Sequence, residues 1–327
     1  MEYRRLGKTG RNVSVIGFGA WAIGADWGTV DDADSLRALH AAADAGVTLI
    51  DTADVYGDGR SERVVGRVLR ERPDAGLTVA TKMGRRLPQL PENYVRENFL
   101  AWTERSRQNL QVDTLDLVQL HCPPTAVYRS DAVYDALDEL VQLGRIAAYG
   151  VSVEECEQAL TAIARPAVAS VQIILNCLRT KPLEQVLPAA QAAGVGIIAR
   201  VPLASGLLSG KYDEHTRFAS DDHRNYNRNG EAFDIGETFA GVPYEVGLQA
   251  VREIASVVPS GVAMAQFALQ WIIAQPGVTT VIPGARSADQ ARANASAAGI
   301  SALTREQLDA VATTYDDLIK PLVHHRW

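Results

Sequence analysis

Val47-Thr48-Leu49-Ile50-Asp51-Thr52-Ala53-Asp54-Val55-Tyr56-Gly57-Asp58-Gly59-Arg60-Ser61-Glu62-Arg63-Val64-Val65-Gly66-Arg67-Val68-Leu69-Arg70 is the stretch that decides how this chain folds. Residues 47–50 are a short apolar, β-prone run, and residues 61–70 carry apolar side chains at helical spacing. Between them lies a glycine-containing turn that holds acids and a tyrosine. A strand that ends in polar chemistry and feeds a helix is the repeating unit of a parallel α/β fold.

The two strands that follow end in the same way. The run at 77–80 leads to Lys82, and the run at 115–120 leads to His121. With Asp51 and Tyr56, four polar residues fall at the ends of three consecutive strands. In isolation each has an ordinary reading: a surface ion pair for Asp51 or Lys82, packing for Tyr56, a satisfied core histidine for His121. Gathered at one end of a parallel sheet, they can deliver a proton to a carbonyl oxygen. Free tyrosine, with a pKa of about 10, is a weak acid at neutral pH. A nearby ammonium favours the tyrosinate, and a carboxylate behind holds the ammonium in place. Tyr56 is thus the candidate general acid, Lys82 its tuner, Asp51 the partner of Lys82, and His121 the group that orients the carbonyl.

Outward from this core, strand and helix patterns alternate along nearly the whole chain. Strand-like runs fall at 15–19, 47–50, 77–80, 115–120, 147–151, 168–173, 196–201 and 278–282. Helical spacing occupies 32–45, 61–70, 91–110, 131–143, 154–164, 183–193, 244–258, 263–273, 287–298 and 304–319. Eight strands joined by helices imply right-handed parallel crossovers, and eight is the number that closes a (β/α)8 TIM barrel. An open doubly wound sheet is the alternative, but it usually has fewer strands and a phosphate loop after the first. Two additions are expected. Residues 3–6 and 12–14 flank Gly7-Lys8-Thr9-Gly10 and read as an N-terminal β-hairpin able to plug the barrel bottom. A long irregular loop, 204–243, follows strand seven; loops of that length are usually functional. No internal repeat or linker breaks the chain, so residues 1–327 are read as a single domain.

Composition narrows the function. The chain has 327 residues, 47% hydrophobic and 22% charged, an ordinary globular balance. A net charge of −7 argues against nucleic acid as a partner, because phosphate backbones demand concentrated Lys and Arg. No apolar run approaches the roughly 18 residues of a membrane span, and no apolar stretch follows the basic start, so neither membrane insertion nor a secretory leader is expected. Cys122, Cys156 and Cys177 lack metal-site spacing and read as free thiols of a cytoplasmic protein. Neither H-x-H nor H-E-x-x-H occurs, and the pair His324-His325 reads as a solvated end, so no metal site is expected.

Protonating a carbonyl is half of a reduction; the hydride comes from a cofactor. Gly17-Phe18-Gly19-Ala20-Trp21-Ala22 fits the dinucleotide fingerprint nominally, but no helix pattern follows before Asp32, so it reads as an active-site loop. Gly7-Lys8-Thr9 is not a P-loop, since Glu2 stands where its first glycine belongs. The better anion site is Ile282-Pro283-Gly284-Ala285-Arg286-Ser287-Ala288-Asp289-Gln290-Ala291-Arg292-Ala293-Asn294. Gly284 permits close backbone approach, Ser287 is a plausible N-cap, the helix start offers free N–H groups, and Arg286 suits a ribose 2′-phosphate. Pro202-Leu203-Ala204-Ser205-Gly206-Leu207-Leu208-Ser209-Gly210-Lys211 can wrap a pyrophosphate from the other side.

From about Arg5 to Asn294 the chain resembles the aldo-keto reductase family. The resemblance rests on residues 51–62, Val118-Gln119-Leu120-His121, Gly150-Val151-Ser152, Val171-Gln172, and the two segments just quoted. It implies a (β/α)8 barrel that uses NADP(H), without a metal, to reduce a small-molecule aldehyde or ketone. It also implies that Ser152 and Gln172 hold the nicotinamide carboxamide. Ser205, Gly206, Leu208 and Lys211 would approach the phosphates. Gly284, Arg286, Gln290 and Asn294 would hold the 2′-phosphate end, with Gly19, Trp21, Pro202 and Leu203 completing the cofactor wall. Two positions depart from the family pattern. Val153 stands where many members have Asn, and Arg200 stands where many have an aromatic ring on the nicotinamide. A guanidinium can also stack on a flat ring. The substrate pocket is expected from Trp21, Trp27, the 122–128 loop and residues 219–243. Two other readings compete: a cofactor-holding barrel that regulates a partner, like the family's potassium-channel β-subunits, and a barrel aldolase with Lys82 as its Schiff-base lysine.

Overall fold

The computed structural model describes residues 1–24, 31–232 and 234–327. Trp27 lies outside the described residues. Strands β1 (Tyr3–Arg5) and β2 (Asn12–Ser14) pair antiparallel as the expected hairpin. Eight parallel strands follow: β3 (Phe18–Gly19), β4 (Leu49–Asp51), β5 (Thr78–Met83), β6 (Leu117–His121), β7 (Tyr149–Ser152), β8 (Ser170–Ile174), β9 (Gly196–Arg200) and β10 (Val278–Val281). Each pairs with its neighbour in chain order, as right-handed crossovers require. The seam between first and last is closed by backbone bonds. Gly17 N–H donates to Val281 O at 2.7 Å, Val281 N–H to Val15 O at 3.0 Å, and Gly19 N–H to Pro283 O at 3.0 Å. A side chain at Gly19 would put Cβ 2.8 Å from Ile282 O, so glycine lets the seam shut.

Side chains alternate in and out along each strand, so one face of every strand lines the barrel interior. At the bottom that face is apolar: Leu49, Ala80, Leu117 and Ile198 cluster there with Leu6 and Val13 of the hairpin, and Ile282, which also lines the upper cleft, joins the same cluster. Leu6 is fully buried, and Gly7 turns with φ +47° where a Cβ would sit 2.0 Å from Ala169 O. The hairpin is the plug that the sequence suggested. Two residues higher on the same face the chain switches to polar groups: Asp51, Lys82, Gln119, Gln172 and Arg200. The outward faces pack against the surrounding helices in the main core, with Ile50, Val79, Val118, Val171 and Ile197 among its members.

The structure differs from the sequence expectation in a few boundaries. Asp51, Lys82 and His121 lie within their strands rather than just past them; Asp51 and Lys82 pair with each other inside the barrel and need not leave the ladder. The helix expected at 91–110 begins at Arg96. A separate 3₁₀ turn at Pro91–Asn93 precedes it, and Tyr94 breaks off to bury its ring against Phe99 and Trp102. The last long helix passes into a π turn at Tyr315–Ile319. Among the described residues of 204–243 there are only 3₁₀ turns and one short helix, His223–Tyr226. No helix among the described residues is long and apolar enough to cross a membrane.

Candidate active site

The polar upper layer of the barrel opens into a cleft of ≈ 960 Å³. Beneath it Lys82, 1% exposed, is fixed by three partners. Its Nζ donates to Asp51 Oδ2 at 2.6 Å, to Thr52 O at 2.9 Å and to Tyr56 OH at 3.3 Å. The other Asp51 oxygen accepts from Gln172 Nε2 at 2.7 Å and Gln119 Nε2 at 3.4 Å. Asp51 is therefore held by groups from β5, β6 and β8, and Lys82 cannot swing away. Tyr56 presents its ring to His121 edge-on, with centroids 5.9 Å apart. Tyr56, Asp51 and His121 face the cleft. His121 is the last residue of β6, inward by strand alternation, and a left-handed bend at Cys122, φ +48°, follows it directly.

Burial pushes the Tyr56 hydroxyl above its ordinary range; Lys82 pulls it back, Asp51 works with burial, and the net direction is up. The lowering expected from the ammonium is present but outweighed. Burial also works against the Lys82 ammonium, yet Asp51 and Tyr56 outweigh it, and Lys82 stays above its usual value. Burial first, then the charges of Arg85, Lys82 and Arg200, hold the His121 imidazole well below the ordinary value, so it is neutral. Its Nδ1 is buried without a hydrogen-bond partner.

Across the mouth, Arg200 ends β9 and is followed by Val201 in the left-handed region, φ +51°. A β-branched residue there is strained and held by its surroundings. The Arg200 guanidinium bonds Glu237, donates to Glu154 Oε2 at 2.8 Å, and reaches Val153 O at 3.1 Å. Arg85 lies 3.6 Å from the other Glu154 oxygen and donates through Nε to His121 O at 3.1 Å. Burial raises both acids. For Glu154 the two arginines outweigh it and the carboxyl sits below its ordinary value, while for Glu237 burial prevails. Behind this set Arg179 donates to Glu154 O, lies 3.6 Å from Asp234, and stacks 3.7 Å over the Trp327 ring.

The cleft continues past Pro202, Leu203, Ser205 and Gly206 to Gly284, Arg286 and Gln290, with Gly19 and Trp21 on the facing wall. Ser205 and Gly206 both have positive φ, 56° and 95°, which turns this segment across the groove. Ser287 caps the helix Ala288–Ser296 by accepting from Gln290 N–H at 3.2 Å. The Gln290 side chain accepts from Arg286 N–H at 2.8 Å, and Asn294 Nδ2 donates to Gly284 O at 3.1 Å, so both amides brace the 284–286 loop. Among the described residues no carboxylate pairs with the Arg286 guanidinium. The Trp21 ring lies 5.3 Å from His223, where the two rims meet. Ser152 and Gln172 line the wall beside His121. Leu208 is buried, and neither it nor Lys211 nor Asn294 forms part of the cleft surface. Among the described residues no cluster of His, Cys, Asp and Glu is arranged to hold a metal.

Some residues in and behind the cleft wall were not singled out in the sequence, although the expected pocket segment 219–243 contains three of them, His223, Arg224 and Glu237. Arg85 and Glu154 stand two residues past β5 and β7, within reach of the rule that finds polar groups at strand ends. Glu237, His223 and Arg224 lie in the aperiodic segment and left no local signal.

The description "Aldo/keto reductase family" fits residues 15–316 of this chain. Aldo-keto reductase YhdN of Bacillus subtilis (strain 168) is 32% identical over 315 residues, spanning 94% of this chain and 92% of that protein. The solved structure of the glycerol dehydrogenase AKR11B4 from Gluconobacter oxydans superposes with a TM-score of 0.79 at 32% identity, covering 98% of this chain and 96% of that one. An aldo-keto reductase from Klebsiella pneumoniae in complex with NADPH gives 0.72 at 25% identity, with 96% of each chain covered. This chain belongs to the aldo/keto reductase family of oxidoreductases.

Proposed function

We propose that the protein is an NADPH-dependent reductase of small-molecule aldehydes or ketones, with Tyr56 as general acid. The observation that carries this reading is the chain of contacts from Asp51 through Lys82 to the Tyr56 hydroxyl, at 2.6 and 3.3 Å, facing one cleft. Bound NADPH supplies a hydride to the carbonyl carbon. Tyr56 gives its proton to the carbonyl oxygen, and the Lys82 ammonium stabilises the tyrosinate left behind. Because burial holds Tyr56 protonated at neutral pH, its resting form is the donor that reduction needs. His121 is neutral, and with Nδ1 buried, Nε2 is the nitrogen able to carry an N–H toward the substrate oxygen. Gln172 spends its amide N–H on Asp51, so its carbonyl oxygen and the Ser152 hydroxyl are the groups left for a carboxamide.

The cleft suits the cofactor. Among the described residues Arg286 has no carboxylate partner where it stands at a capped helix start, a Cβ at Gly284 would meet only Gly19 O, at 3.7 Å, and the Ser205-Gly206 turn lines the groove between that end and Arg200. These residues would hold the 2′-phosphate, the pyrophosphate and the nicotinamide end in that order. Residues 1–327 act as one functional unit, with three free cysteines suited to a reducing cytoplasm. The test is NADPH consumption, followed by absorbance, against a panel of aldehydes, ketones and keto-sugars. Turnover with at least one carbonyl, lost in Tyr56→Phe, supports the reading; cofactor binding without turnover of any carbonyl refutes it.

A further inference from the structure

We propose that Glu237 and Glu154 cancel the charge that Arg200 brings to the nicotinamide end of the cleft, and thereby set the protein's relative affinity for oxidised and reduced cofactor. The inference rests on the cofactor reading above. A bare cation against the nicotinamide ring opposes the positively charged oxidised form and leaves the neutral reduced form alone. Arg200 is not bare. Its side chain is 10% exposed and bonds both carboxylates. Arg85 touches Glu154 as well, so two guanidinium groups and two carboxylates form one connected, charge-balanced set. The groups next to it add no charge: His121 is neutral, and burial pushes the Cys122 thiol up to about 12. One shell further back, Arg179 is matched by Asp234.

The set is built into the site. Arg200, Arg85 and Glu237 line the same cleft as Tyr56 and His121. Glu237 is fixed from both sides, since its backbone oxygen accepts from Ser205 Oγ at 2.5 Å and Arg200 grips its carboxylate. Glu154 accepts from Arg200 at its carboxylate and from Arg179 at its backbone oxygen. A clasp that only tied the 204–243 segment down would need one carboxylate. The second balances Arg85, so the four groups together sum to zero where the nicotinamide ring would lie.

The test is fluorescence titration of NADP⁺ and NADPH, comparing the ratio of their dissociation constants. Glu237→Gln keeps the shape and removes one negative charge, so the ratio Kd(NADP⁺)/Kd(NADPH) should rise about tenfold, mostly through weaker NADP⁺ binding. Glu154→Gln should move it the same way and serves if the first variant misfolds. Arg200→Gln should move it in the opposite direction. The double variant Arg200→Gln/Glu237→Gln loses the tie but regains balance, and its ratio should return to within roughly twofold of wild type by additivity of the two charge changes. Ratios unchanged in all three single variants, or losses equal for both cofactors, would overturn the charge role and leave a mechanical tie. Wild-type protein that binds neither cofactor would overturn the cofactor reading together with this inference.

Discussion

Lys82 and Arg200 are buried cations on β5 and β9, strands four places apart in a ring of eight and so on opposite sides of the barrel mouth. Both pay a desolvation penalty that only close partners can offset. Lys82 has one carboxylate and a phenol; Arg200 has two carboxylates. Arg286, at the far end of the cleft, has no carboxylate at all among the described residues. The number of carboxylates each cation meets determines how much of its field is left for something else. Lys82 keeps enough to act on Tyr56, Arg200 is neutralised within its set, and Arg286 is left open to an anionic ligand.

Removing the phenol that Lys82 acts on should have the largest effect. Tyr56→Phe should lower kcat for carbonyl reduction by about 10²–10⁴-fold, with NADPH binding nearly unchanged. Turnover within twofold of wild type would mean that the Lys82 side is as silent as the Arg200 side. Lys82→Met should cost nearly as much, and its pH profile carries the sign. Burial already raises Tyr56, and the ammonium is the main force pulling it down. Without Lys82 the phenol titrates still higher, so the alkaline loss of reduction moves to higher pH while alcohol oxidation, which needs the phenolate, falls at any given pH. An unchanged profile would reduce Lys82 to a structural role.

Arg286→Ala comes next. It should weaken NADPH binding roughly ten- to a hundredfold and leave NADH nearly untouched, because the two differ only in the 2′-phosphate and a charged hydrogen bond contributes about 1.5–3 kcal/mol. Titration of both cofactors checks it; equal losses would place Arg286 on a phosphate they share. The smallest effect should come from Trp327→Phe, behind Arg200. The ring stacks on Arg179, which supports Glu154. A phenyl ring keeps part of that interaction, so stability should fall by about 1 kcal/mol or less in denaturant titration. A larger drop in turnover than in stability would show that the Arg200 set depends on its distant support.

The side of the mouth that holds Lys82 was legible in the sequence, and the side that holds Arg200 was only half so. Asp51, Lys82 and His121 each end an apolar run, and the inward alternation of a barrel strand carries them to the same layer. The eight strands and the hairpin followed from periodicity and turn residues. The charge balance at Arg200 did not. Glu237 comes from a segment without periodicity, and only the folded chain brings it 37 residues back to Arg200. The rise at Tyr56 was equally hidden, because the ammonium is visible as a residue while the desolvation that outweighs it is a property of the assembled cleft. Leu208, Lys211 and Asn294 matched by position but do not reach the cleft surface.

The plug at the barrel floor bears on the order in which the chain can assemble. Arg4 donates to the backbone oxygens of Ile273 and Val278, 269 and 274 residues further along, and Gly7 nests against Ala169 and Gly196. During synthesis residues 3–14 emerge long before these partners exist. Contacts of such sequence separation are slow to form, and unpaired strands with apolar side chains are exposed to wrong pairing while they wait. The hairpin can pair with itself at once through the register from Tyr3 opposite Ser14 to Arg5 opposite Asn12, which protects its edges locally. Leu6 and Val13, however, can be buried only when β9 and β10 have closed the ring, so a segment made long before those strands is among the last to reach its native place.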